Sequence, residues 1–219
     1  MKKLIGVGIV LSLLIVSGVV LYKSNANTVG GSKPMLANPK GNEIVSIVEN
    51  GSYAMYSLED LTNETELIVR GTVKSVSEPR WNNQENRKPN AISGKDTIYK
   101  DTVFKVDKVY KGNAGLSMLE VRSFGGRTAD FEIDSDMELK LNVGDEAVLF
   151  LVPDDTIYNK EKAAGHYILL GSLQAVYSIS GNDASNVHES MKVAELEQKI
   201  KDYLGNPKHT KKTGGPSAE

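Results

Sequence analysis

Apolar residues recur in short runs along most of the chain: Ile44 to Val48, Glu66 to Val76, Thr97 to Tyr110, Met118 to Phe124, Glu146 to Val152, His166 to Leu170 and Gln174 to Ile179. They are rich in Val, Ile, Leu, Phe and Tyr, and most are bounded by Gly, Asn or Asp, a pattern that predicts β-strands. Two segments follow a helical period instead. Ser57 with Asp60 makes a capping-box start for a short helix, Leu58 to Thr62. Val193, Leu196, Ile200 and Leu204 recur at spacings of three and four, giving one apolar helix face, with Gly205 placed to cap its end. Many short strands and few helices predict a mainly β fold, a small barrel or a sandwich with a C-terminal amphipathic helix across it.

The first apolar run differs in kind. Leu4 to Tyr22 is nineteen residues without a charge, preceded by Lys2 and Lys3. As a helix it reaches roughly 28 Å, close to the hydrocarbon thickness of a bilayer. Residues 1–26 are therefore read as a signal anchor crossing the membrane through residues 4–22, or as a signal peptide cleaved after Ala26, where Ser24 and Ala26 supply the small residues. Either way the remainder is exported: a single-pass protein of the cell membrane with its C-terminal domain outside, or a secreted one. Residues 27–42, rich in Gly, Pro, Asn and Lys, predict a flexible stalk, residues 43–205 a β-rich extracytoplasmic domain, and residues 206–219 a disordered polar tail.

The chain has no cysteine, so disulfides, thiolate metal sites and cysteine nucleophiles are excluded. With Lys2, Lys3 and Lys23 set aside, 23 basic residues face 28 acidic ones, a net charge of −5. That balance argues against a nucleic-acid partner.

Two segments carry candidate chemistry. Glu78 to Lys95 separates two strands by more than a usual connection and holds the chain's one tryptophan. Arg80, Trp81, Arg87 and Lys88 combine an aromatic platform with cations, the ingredients of a ligand-binding loop; in the competing reading Trp81 folds back as a lid on the barrel. Asp130, Glu132, Asp134, Asp136 and Glu138 place an acid at every second position between Phe131, Ile133 and Met137. On a strand this buries the odd-numbered residues and aligns the carboxylates outside. Asp134, Asp136, Glu138 and Asp145 echo the ligand offsets of a Ca²⁺ loop, although Leu139 stands where that loop needs Gly. The alternative is a solvated acidic face paired with Lys105, Lys108 or Lys111. His166, His188 and His209 lack zinc-site spacing, and no G-x-S-x-G, H-E-x-x-H or phosphate-loop motif is present. Asp154-Asp155 beside Pro153 predicts a turn, and Gly125-Gly126-Arg127 a turn or bulge, the competing reading being backbone amides presented to an anion.

The succession Leu67-Ile68-Val69-Arg70-Gly71-Thr72-Val73, Phe104 to Gly112, Gly125-Gly126, Val143 to Leu151 and Leu170 to Ala175 resembles a group of exported bacterial domains of unknown function. Those domains are similar to five-stranded barrels of the oligonucleotide/oligosaccharide-binding type. The resemblance spans residues 57–180, and this chain carries Ser172 and Ala175 where the group usually has Gly. It implies an OB-like barrel and transfers no catalytic residue. The expected function is a membrane-tethered extracytoplasmic binding module without a cofactor, its partner an envelope or secreted protein or an envelope glycan. The alternatives are a structural protein stabilised by Ca²⁺ and a hydrolase drawing on the acidic row.

Overall fold

The computed structural model describes residues 44–49, 54–160 and 165–207. The strands in chain order are β1 (Val45–Glu49), β2 (Leu67–Val76), β3 (Arg80–Trp81), β4 (Ile98–Lys111), β5 (Met118–Phe124), β6 (Gly126–Arg127), β7 (Phe131–Ser135), β8 (Glu146–Pro153), β9 (His166–Leu169), β10 (Val176–Ser180), β11 (Asp183–Ser185) and β12 (Ser190–Lys192). The helices are α1 (Leu58–Glu64) and α2 (Val193–Gly205). The segments expected to form the membrane span or signal peptide and the stalk, and most of the expected tail, lie outside the described residues. Among the described residues no helix is long and apolar enough to cross a membrane.

Five strands close into a barrel in the order β8-β2-β4-β5-β9 and back to β8. The β5–β9 pairing is parallel and the others are antiparallel. This closed mixed barrel is consistent with the OB-like architecture. Period-two alternation fills its interior: Leu67, Val69 and Val73 from β2, Phe104 from β4, Leu119 and Val121 from β5, and Ala147, Leu149 and Leu151 from β8 form one buried cluster. Gly71 interrupts the β2 series where the strands crowd, since a Cβ there would lie 2.7 Å from the Lys105 carbonyl oxygen.

Leu67 to Val69 of β2 and Ala147 to Val152 of β8 are continuously apolar because both of their faces are covered. Ile68, Val148 and Phe150 point outward into a second cluster with Leu58 and Leu61 of α1, Leu196 and Ile200 of α2, and Tyr177. β10, β11 and β12 extend the sheet beside β8 to support that layer. The Ser57 capping box forms as the sequence predicts: the Ser57 Oγ accepts from the Asp60 N–H, and the Ser57 N–H donates to the Asp60 carboxylate, each at 3.1 Å. Two local expectations change. Gly205 is the last helical residue of α2 and Asn206 takes the cap. Residues 172–175 form a 3-10 turn before β10, because the Gln174 side chain holds the Tyr56 N–H, the Ala54 carbonyl and the Gly171 carbonyl.

Glu197 pins α2 to the barrel. Its carboxylate accepts from the Lys108 Nζ at 2.7 Å, the Tyr110 hydroxyl at 2.6 Å and Arg70 at 3.5 Å. Burial works to raise the carboxyl's pKa, but the hydrogen bonds from Lys108 and Tyr110 outweigh it and hold it below its ordinary 4.5. A carboxyl depressed on folding adds stability that is complete above its unfolded pKa and is lost as pH falls through the folded one. Followed by urea denaturation at a series of pH values, the wild type should therefore lose stability more steeply than Glu197→Gln as pH falls below about 4.5, its advantage over the variant shrinking toward zero. Equal slopes for the two proteins in that window would refute the assignment.

The third layer is a small sheet, β1-β7-β6, with β1 parallel to β7. Phe131, Ile133 and Ser135 of β7 are buried, as the alternation predicts. The acidic series does not stay on one strand, however. β7 ends at Ser135 and the chain turns at Asp136 and Met137, so Asp136 and Glu138 leave the face that carries Glu132 and Asp134.

Candidate functional site

The long connection from β2 to β4 lies back over the outer face of β4 and β5. Ser77 opens it: its N–H donates to the Asp101 carbonyl and its Oγ accepts from the Asp101 N–H, both at 2.9 Å. β3 then pairs with β4, Arg80 opposite Tyr99 and Trp81 opposite Ile98. This places Trp81 inside. It is 1% exposed, its ring centroid 5.2 Å from that of Phe131 at 56°, in a cluster with Ile98 and Ile133. The indole is a lid on β4 and the small sheet, not a platform on the surface. Asn82 locks the position by donating to the Lys95 and Tyr158 carbonyls, both at 2.9 Å, and accepting from the Thr97 N–H at 2.9 Å.

On the opposite face of β3 and β4 from Trp81, where Arg80 and Tyr99 point, lies a charge cluster. Asp101, 3% exposed, accepts from Arg122 through Nε at 2.8 Å and a terminal nitrogen at 3.0 Å, and from Arg80 at 2.7 Å. Both guanidiniums lie over the Tyr99 ring, that of Arg122 at 3.9 Å and that of Arg80 at 4.9 Å. Asp154 closes the other flank. Its carboxylate contacts the His166 Nε2 at 2.8 Å and accepts from the Thr156 N–H at 3.0 Å and hydroxyl at 2.6 Å, and its charge is felt by Arg122. Arg80 thus spends its charge on Asp101. Asp101 and Arg122 belong to no sequence motif, and Asp154 and His166, a turn residue and a histidine without zinc spacing by sequence, meet only in the fold. The signal available was a charge set inside an apolar strand run, which calls for a buried partner.

The tip of the connection stays in solvent. Arg87 and Lys88 are exposed, and Asn83 clamps the turn, its amide donating to the Arg87 carbonyl at 2.7 Å. Lys88 Nζ sits 5.2 Å from the Phe131 ring centroid. Farther along, Asp96 pairs with Lys160 from the β8–β9 connection. Burial pushes the Asp96 carboxyl upward, but Lys160 and Ser93 overcome it and draw it down to about 2. Between the tip and the turn after β6 runs a groove of about 980 Å³, lined by Trp81, Arg87, Lys88, Arg127, Glu78 and Asp130 among others. The structure therefore brings three of the four loop residues to one groove and turns Arg80 to the buried cluster.

The candidate Ca²⁺ ligands are not gathered. Asp134 is exposed on β7, Asp136 lies in the turn, Glu138 pairs with Lys100 at 2.5 Å, and Asp145 accepts from the Asn142 N–H at 2.7 Å to shape the turn before β8. Among the described residues no group of three or more His, Asp or Glu converges to hold a metal ion. The expected lysine partners are engaged elsewhere: Lys105 with Asp107, Lys108 with Glu197, and Lys111 with the Thr62 and Asn63 carbonyls. All three lie toward the C-terminal end of β4, whereas Lys100, near its start, pairs with Glu138. Next to Asp136, Glu49 on β1 is perturbed as well. Burial first, and the charge of Asp136 second, push the Glu49 carboxyl up, against a hydrogen bond from Tyr158. Glu49 is not part of the groove lining.

No protein-family model matches the chain, and a search of curated proteins finds no match.

Proposed function

We propose that this chain is a membrane-tethered extracytoplasmic binding module, a member of the exported OB-like domains it resembles, that engages an envelope or secreted protein or an envelope glycan through the β2–β4 connection. The observation that carries the reading is the groove beside the loop tip, where exposed Arg87 and Lys88 stand on a scaffold fixed by Trp81 and Asn82. Rigid support under exposed cations lowers the ordering penalty of binding. In barrels of this type the strand 2–3 face and the loops beside it are the usual binding surface, and β4, β5 and this connection occupy that position.

The test is co-sedimentation of the full-length protein, solubilised in mild detergent, with isolated envelope material. Arg87→Ala combined with Lys88→Ala should reduce the bound fraction at least tenfold, since charge-assisted hydrogen bonds contribute about 1.5 to 3 kcal/mol each. Both positions are exposed, so the unfolding free energy should change by no more than about 0.5 kcal/mol. Undiminished co-sedimentation of a folded double variant would remove the loop from the reading.

A further inference from the structure

The groove contains a residue whose side chain the sequence pattern did not mark as ligand-facing. Arg127, exposed on β6, adds a third cation to Arg87 and Lys88. Trp81 belongs to the same lining, and its buried Nε1–H has no acceptor among the protein's own groups. Two guanidiniums and an ammonium are all donors, so the group that complements them is rich in acceptors and anionic. The planar guanidinium fork matches a carboxylate or a phosphate. Glu78 and Asp130 on the same lining decide between these two. A polyphosphate or a nucleic-acid backbone would set a dense row of charges against both carboxylates. A sugar acid spaces its carboxylates apart and offers hydroxyl donors between them, which Glu78 and Asp130 can accept.

We propose that this groove binds an acidic saccharide bearing carboxylates, with Arg87, Lys88 and Arg127 holding the carboxylate and Glu78 and Asp130 accepting from its hydroxyls. The proposal rests on the binding reading above and names its ligand class. The experiment is calorimetric titration of the full-length protein in detergent with an oligogalacturonate, with a neutral oligosaccharide of equal length, and with polyphosphate of equal charge. The oligogalacturonate should bind at least tenfold more tightly than either comparison, and added salt should weaken it. Arg127→Ala should lower its affinity about tenfold or more without shifting the melting temperature. Equal or tighter binding of the neutral sugar or the polyphosphate, or an unchanged affinity in Arg127→Ala, overturns the proposal. Envelope co-sedimentation that survives while oligogalacturonate fails to bind sinks the saccharide class alone; loss of both sinks the binding reading with it.

Discussion

Asp101→Ala is expected to lower the unfolding free energy by about 3 to 5 kcal/mol, the range for stripping one partner from a buried ion pair. The asymmetry of exposure locates the loss. The Asp101 side chain is 3% exposed and that of Arg122 11%, whereas Arg80 is 41% exposed. Without the carboxylate, Arg122 remains enclosed against Tyr99 with its two hydrogen bonds broken, while Arg80 swings to water. Arg80→Ala should consequently lose only about 1 kcal/mol or less, as exposed pairs do. Replacing Asp101 and Arg122 together by apolar residues of similar volume should recover much of the loss, because what destabilises is the stranded charge rather than the missing bond. Urea denaturation of the four proteins decides the matter. A deficit below about 1 kcal/mol for Asp101→Ala would mean that Arg122 is solvated and that the cluster is not a closed one.

Trp81→Ala should destabilise by a comparable amount, about 3 to 5 kcal/mol, the sum of lost transfer energy and the cavity left behind. Phe131, Ile98 and Ile133 surround the indole, and they belong to a two-strand pairing and a three-strand sheet that cannot both collapse into the gap. Trp81→Phe should keep most of the stability, since only part of the ring volume goes. The single tryptophan also reports its own state: in the wild type its emission should be short-wavelength and resistant to acrylamide quenching. Long-wavelength, quenchable emission from the folded protein would place the ring in solvent and cancel the expected loss. A binding defect in Trp81→Ala would follow from a disordered connection, so Arg87, Lys88 and Arg127 are the informative positions for function.

Those positions divide along the line between local and distant determinants. The strand limits follow closely from side-chain period and turn residues: Met118–Phe124 is predicted and observed alike, and Glu66 to Val76 shifts by one residue to Leu67–Val76. Helix α1 is legible because its Ser57 and Asp60 signal acts within one turn. The two-residue strands β3 and β6 escaped notice, since two residues show no period and exist only where β4 and β7 present a ladder. The acidic row was misjudged beyond Ser135 for the same reason. Alternation cannot foresee that a strand ends while the alternation continues.

By itself the sequence determined the mainly β class and the terminal amphipathic helix, because backbone period and turn residues are read within a few positions. Only the tertiary structure decided that the barrel closes through β8 and β9, that Trp81 turns inward, and that Arg80 meets Asp101 while Asp154 meets His166. Those outcomes depend on which distant groups desolvate one another. A buried charge or an indole takes its position from partners that chain folding brings near, and no local pattern names them.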